Sequence, residues 1–261
     1  MLQIHRRFLP SILFLAGVGS AAFAQVTTTS AGGYGPIVAP DSIASAWGMN
    51  LATTTAPATT SPLPTTLGNV QVFITDSTGV KAPAVSLFLV SPTQINFLVP
   101  ATTAVGKGTI TVVSGGASFS GDLLVSNVSP AIFTANSDGK GVPAAQVLRV
   151  SAAGAVMLDN TFKSAGSGPF VSNPINVQPA ADRLYLMLYG TGLRRHSLNP
   201  VKATVGGVSV PVLYAGPQSQ FPGLDQVNLG PLPASLLGKG DVDVVITVDG
   251  VPANTVRLNF Q

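Results

Sequence analysis

The chain contains no cysteine and no glutamate; all ten of its acidic residues are Asp. Without Cys there is no disulfide framework, no thiol nucleophile and no Cys-ligated zinc. Without Glu, and with only six Lys, long solvent-facing helices are excluded, because those side chains normally cover the exposed face. Charged residues make up 9% of the 261, against about 25% in an average soluble domain. Aromatics are sparse too, with one Trp and four Tyr. What is abundant is apolar residues, at 46%, punctuated by 28 Gly and 21 Pro. That balance points to an all-β chain rich in turns.

Residues 1–24 read as an export signal. His5, Arg6 and Arg7 precede an apolar run from Phe8 to Ala22, and Ala22-Phe23-Ala24 stands before Gln25. A basic start, a short apolar stretch and an A-x-A site are the three parts of a signal peptide. The run is short for a membrane span and is broken by Pro10, Gly17 and Gly19. The mature chain is therefore expected to start at Gln25, to be secreted or periplasmic, and to carry no transmembrane segment. Losing Arg6 and Arg7 from the 13 Lys and Arg leaves 11 against 10 Asp, a net charge of +1. So small a charge offers no footing for nucleic acid.

The rest of the chain repeats itself. Ala46-Trp47-Gly48-Met49-Asn50-Leu51 matches Leu188-Tyr189-Gly190-Thr191-Gly192-Leu193. Leu67-Gly68-Asn69-Val70-Gln71-Val72 matches Val205-Gly206-Gly207-Val208-Ser209-Val210. Thr93-Gln94-Ile95-Asn96-Phe97 matches Asp225-Gln226-Val227-Asn228-Leu229, and the run from Ile110 to Gly116 matches that from Val244 to Gly250. The matches keep one order. Pro36-Ile37-Val38 and Pro174-Ile175-Asn176 lead in to the two copies. The division expected is a first domain over 25–130, a connecting segment over 131–173 and a second domain over 174–261. Within the connector, Ala144 to Val150 and Ala155 to Leu158 flank Ser151 to Gly154 and predict one hairpin.

Each copy has the pattern of a sandwich. Val256-Arg257-Leu258-Asn259-Phe260 alternates with period two, so one face is buried and one wet. Asp249-Gly250, Gly206-Gly207 and Gly115-Gly116 suit two-residue turns that need φ > 0 at both central positions. Short strands with turns every 8–12 residues predict two tandem immunoglobulin-like β-sandwiches.

Several of these stretches carry a family resemblance. Pro40-Asp41-Ser42-Ile43 leads to Gly48-Met49-Asn50-Leu51-Ala52, followed by Val90 to Pro100 around Gln94-Ile95-Asn96 and by Ser129 to Thr134. Leu188-Tyr189-Gly190-Thr191-Gly192-Leu193 and Tyr214-Ala215-Gly216 to Gln226-Val227-Asn228 continue the series. In these residues the chain resembles an uncharacterised domain found at the C-terminal end of many large secreted acidobacterial proteins. Each half is also similar to the IPT/TIG type of immunoglobulin-like module. The resemblance implies an extracellular β-rich accessory region and no particular activity.

Catalytic sets are missing. A glycosidase needs two carboxylates flanking a sugar, yet Asp76, Asp138, Asp159 and Asp249 stand in turn-like contexts where Asp is expected for backbone reasons. A serine hydrolase needs a base and an elbow motif; the mature chain has one His, His196, beside Arg194 and Arg195. His196 reads as a solvated loop residue, or as part of an anion patch with Lys202. Phosphate-cradling glycine motifs are absent. Asp241 and Asp243 share one strand face, but calcium wants 6–8 oxygen ligands. Solvated edge charges are the simpler reading. No cofactor and no metal site is expected.

The recurring polar pairs remain. Gln94 with Asn96, and Gln226 with Asn228, each fall on one strand face. Such amides fix a register by bonding nearby backbone, or form a platform for a sugar or peptide. Trp47, beside Gly48 in an apolar stretch, is expected in the core, which leaves few rings for stacking. The function expected is a secreted, non-enzymatic interaction or scaffolding protein with a protein or polysaccharide partner in the cell envelope. The alternative is a carbohydrate-binding module using Gln94, Asn96, Gln226 and Asn228.

Overall fold

The computed structural model describes residues 25–261, so the export-signal reading of residues 1–24 lies outside it. The described chain is all-β, with two tandem sandwich lobes and one 3-10 turn at Ala234–Leu236.

The first lobe runs through β1 (Thr27–Ser30), β2 (Ile37–Val38), β3 (Ile43–Trp47), β4 (Ala56–Pro57), β5 (Val70–Thr75), β6 (Leu87–Val90), β7 (Gln94–Leu98), β8 (Gly106–Ser114) and β9 (Ala117–Val125). One sheet has the order β1-β3-β7-β6-β4 and the other β2-β9-β8-β5. Alternate residues point between them: Val70, Val72 and Ile74 from β5, Ile95 and Phe97 from β7, Ile110 and Val112 from β8. Each such fully buried large side chain contributes about 1.5–3 kcal/mol.

The second lobe runs through β10 (Ala131–Ile132), β11 (Ala145–Val150), β12 (Val156–Asn160), β13 (Phe162–Lys163), β14 (Val171–Ser172), β15 (Arg183–Thr191), β16 (Lys202–Val205), β17 (Val208–Ser209), β18 (Val212–Pro217), β19 (Asp225–Leu229), β20 (Gly240–Val248), β21 (Val251–Pro252) and β22 (Val256–Phe260). One sheet has the order β12-β11-β15-β19-β18, with β10 also on β15; the other is β17-β16-β20-β21, with β22 on β20.

The hairpin expected in segment 131–173 forms as β11 and β12, but the segment is no connector. Its β11 pairs along β15, and Ile132, Ala145 and Val147 enter the second core. The counterpart in the first lobe is β1, which lies on β3 as β11 lies on β15. There Thr28 and Ser30 occupy the inward places. An edge strand that is polar in one copy and apolar in the other leaves no match to read.

The two lobes repeat one pairing scheme in register. Ala46 faces Ile95 in the first lobe and Leu188 faces Val227 in the second. The neighbouring strand is bulged at the same place in both, skipping Phe88 and Leu213. The lead-in stretches match too, since Ile37 and Ile175 both pair parallel to the last strand of their lobe. Turns at Gly115-Gly116, Gly206-Gly207 and Asp249-Gly250 have φ > 0 at both residues, the geometry that suits the twist of the flanking strands.

The lobes are bonded to each other. The Ile43 amide donates to Thr191 Oγ1 at 2.8 Å, and Ser129 Oγ donates to the Ile37 carbonyl at 2.7 Å. The turn between β1 and β2 also crosses to the second lobe. A Cβ on Gly32 would stand 2.9 Å from that of Ala131, so only glycine permits this approach.

Candidate functional site

Strand period decides which way the amides point. Ile95 and Phe97 are buried, so Gln94 and Asn96 face outward from β7. The same rule overturns the expected place of Trp47. Ala44 and Ala46 fill the inward positions of β3, and Trp47 is turned to the outer face, half-buried, opposite Gln94. Its indole Nε1 donates to Thr29 Oγ1 at 2.9 Å. The apolar context suggested core, but the period of two places it outside.

A groove of about 570 Å³ lies over this face. Its floor is Ser45, Trp47, Gln94 and Asn96, with Phe88 beside them. The bulge between Leu87 and Leu89 leaves Phe88 beside the groove. Tyr34 comes from the turn after β1, and its ring stands 6.1 Å from that of Trp47 at 54°. Phe133 and Ser137 arrive from the second lobe as a wall. Tyr34 is pinned across the lobes, its hydroxyl donating to the Ser137 carbonyl. Burial, and then the Asp138 carboxylate, hold that phenol above its ordinary 10.0, so it stays a neutral donor.

The amides bond each other rather than a turn. Gln94 Nε2 donates to Asn96 Oδ1 at 2.8 Å, and Ser45 Oγ donates to the same oxygen at 2.8 Å. Oδ1 thus accepts twice, while the Asn96 Nδ2 donor and the Gln94 Oε1 acceptor have no partner among the described residues. No charged side chain lines the groove. Sequence reasoning found Gln94 and Asn96 but missed Tyr34, Phe88 and Phe133. Only Phe88, inside a strand-like apolar run, carried any local signal.

The second pair lies on a different sheet. Gln226 Nε2 donates to Asn228 Oδ1, again at 2.8 Å, on the outer face of β19. Tyr189 faces Gln226 as Trp47 faces Gln94. The four amides thus lie as two pairs on two different sheets.

The other candidates are occupied. Arg194 Nε donates to Asp225 Oδ1 at 2.6 Å, and the amides of Leu193 and Arg194 bond Oδ2. Burial pushes the Asp225 carboxyl up, while the Leu193 amide and Arg194 pull it down. Arg195 binds Asp41 and the Ala101 carbonyl of the first lobe. His196 contacts the carbonyls of Ser197 and Ala215. The basic triplet is therefore a structural clasp and not an anion patch. Asp243 pairs with Arg257 and Asp241 accepts from Asn259. Among the described residues no three His, Cys, Asp or Glu gather as a metal cluster would. Nor is any described helix long and apolar enough to cross a membrane.

No protein-family model matches the chain, and no curated protein matches it. Among solved structures it is similar to SGBP-B of the mixed-linkage glucan utilization locus of Bacteroides ovatus, in complex with a mixed-linkage heptasaccharide. Identity there is 12%, over 86% of this chain and 43% of that one, at a TM-score of 0.36. It is also similar to SGBP-B from a complex xyloglucan utilization locus in Bacteroides uniformis. Identity is 15%, over 91% of this chain and 48% of that one, at a TM-score of 0.26. The chain spans less than half the length of either structure. Likeness at this level carries no inference about a ligand.

Proposed function

We propose that the protein is a secreted, non-catalytic carbohydrate-binding protein whose groove takes an uncharged saccharide chain of the cell exterior. One observation carries this reading: inclined Trp47 and Tyr34 rings beside an unspent amide donor and acceptor, in a groove without charge. Sugars present apolar ring faces and hydroxyl edges together, and this surface offers a partner to each. The lining has no carboxylate to serve as acid, base or nucleophile, which supports binding without hydrolysis. The expected order of the two readings is thus reversed, because the rings thought to be missing stand at the site.

A protein-scaffolding role has one observation in its favour. Edge strand β12 exposes Val156, Met157 and Leu158.

Affinity electrophoresis of Gln25 to Gln261 through gels containing uncharged glucans, mannans or polyuronates tests the proposal. Retardation by an uncharged polymer, weakened in Trp47→Ala and in Gln94→Ala, supports it. No retardation on any uncharged polymer, or retardation that neither variant weakens, overturns it.

A further inference from the structure

The register that places Trp47, Gln94 and Asn96 is repeated in the second lobe, and the side chains repeat with it. Trp47 donates from Nε1 to Thr29 Oγ1 on the next strand; Tyr189 donates from its hydroxyl to Gln146 Oε1 at 2.9 Å on the equivalent strand. Thr29 faces Ser45 and Gln146 faces Met187, two residues before the aromatic in each case. The glutamine-to-asparagine bond is 2.8 Å in both lobes. On the bulged strand, Tyr214 stands opposite Asn228, outward and exposed, as Leu89 stands opposite Asn96. A need to fix register would account for one such amide pair. It does not account for an outward ring at the same position beside each pair, tied to its neighbour strand by a polar bond.

The geometry points to a second saccharide platform on the outer face of the second lobe, formed by Tyr189, Gln226, Asn228 and Tyr214. This rests on the reading of the first groove as a sugar site. The platform is the more open of the two. Met187 replaces Ser45, so Asn228 Oδ1 has one donor where Asn96 Oδ1 has two. The wall that Phe133 and Tyr34 give the first groove comes from contact between the lobes, and sheet pairing alone does not reproduce it. The second platform therefore binds a short oligosaccharide more weakly.

Titration calorimetry with cellohexaose, laminarihexaose and maltohexaose counts the sites on the full chain. Two are expected, the weaker at least tenfold below the stronger. Gln226→Ala with Asn228→Ala removes the weaker one, and Trp47→Ala removes the stronger. A second measurement does not depend on that double variant folding. Met187→Trp with Trp47→Phe moves the single indole onto the second platform, where ligand should shift its emission. One site in the wild type, together with a silent indole at position 187, overturns this inference alone. No binding at either site overturns it together with the reading of the first groove.

Discussion

Arg195 of the second lobe holds Asp41 of the first, Nη2 to Oδ2 at 3.0 Å, and its guanidinium also reaches the Ala101 carbonyl. The pair is partly solvent-exposed, so its worth in stability is about 1 kcal/mol or less. Its worth in position is greater, since the groove needs the second lobe's wall held against the first lobe's floor. Arg195→Ala should leave the melting temperature within about 3 °C yet weaken saccharide retardation several-fold. Thermal denaturation beside affinity electrophoresis reads both.

Trp47 is the chain's one tryptophan, so intrinsic fluorescence reports the groove without labelling. A bound sugar should shift the emission to shorter wavelength by excluding water from the indole. Trp47→Ala should lower affinity at least tenfold, about 1.4 kcal/mol, while Trp47→Phe, keeping a ring, should lose less. Because the side chain faces outward, neither should cost the lobe its core. Circular dichroism melts check that.

Arg194 and Asp225 are a buried pair, with the Asp225 side chain fully out of solvent. Breaking one partner strands the other's charge. Arg194→Ala should cost about 3 kcal/mol in urea unfolding. The double change Arg194→Met with Asp225→Asn should recover much of that loss, because no buried charge is left unpaired.

Acid should undo two turns before the core yields. Hydrogen bonds from Thr78, then from the amides around it, hold the Asp76 carboxyl below its ordinary 3.8; bonds from Ser197 do the same for Asp249. A carboxyl lowered on folding contributes stability that is full above the unfolded value and is lost as pH falls through the folded one. Stability should therefore decline below about pH 3.8. Asp76→Asn should flatten that acid limb by lowering the neutral plateau toward the acid value, because the carboxylate's contribution is lost at every pH. Urea midpoints measured from pH 2 to 7 test the sign.

The pairing scheme was legible because strand period and turn chemistry are local. Asp249-Gly250 and Gly206-Gly207 announce their hairpins, and Gln94-Ile95-Asn96 announces which face is wet. Trp47 sits in an apolar context that suggests core, yet period decides its side: Ala46 points in, so its neighbour points out. The place of residues 131–173 in the second lobe is hidden for a different reason. Inward Thr28 and Ser30 in one lobe stand where Ala145 and Val147 stand in the other, so a shared position left no shared pattern. The wall of the groove was not legible at all. Tyr34 meets Ser137 across 103 positions of sequence, and no local propensity encodes that contact.

Because floor and wall come from different lobes, the first groove belongs to neither copy alone. A gene fragment encoding one sandwich would inherit a sound core and a half-finished surface. Exchanging either sandwich for an unrelated one would keep its neighbour's core and take away part of the groove's lining.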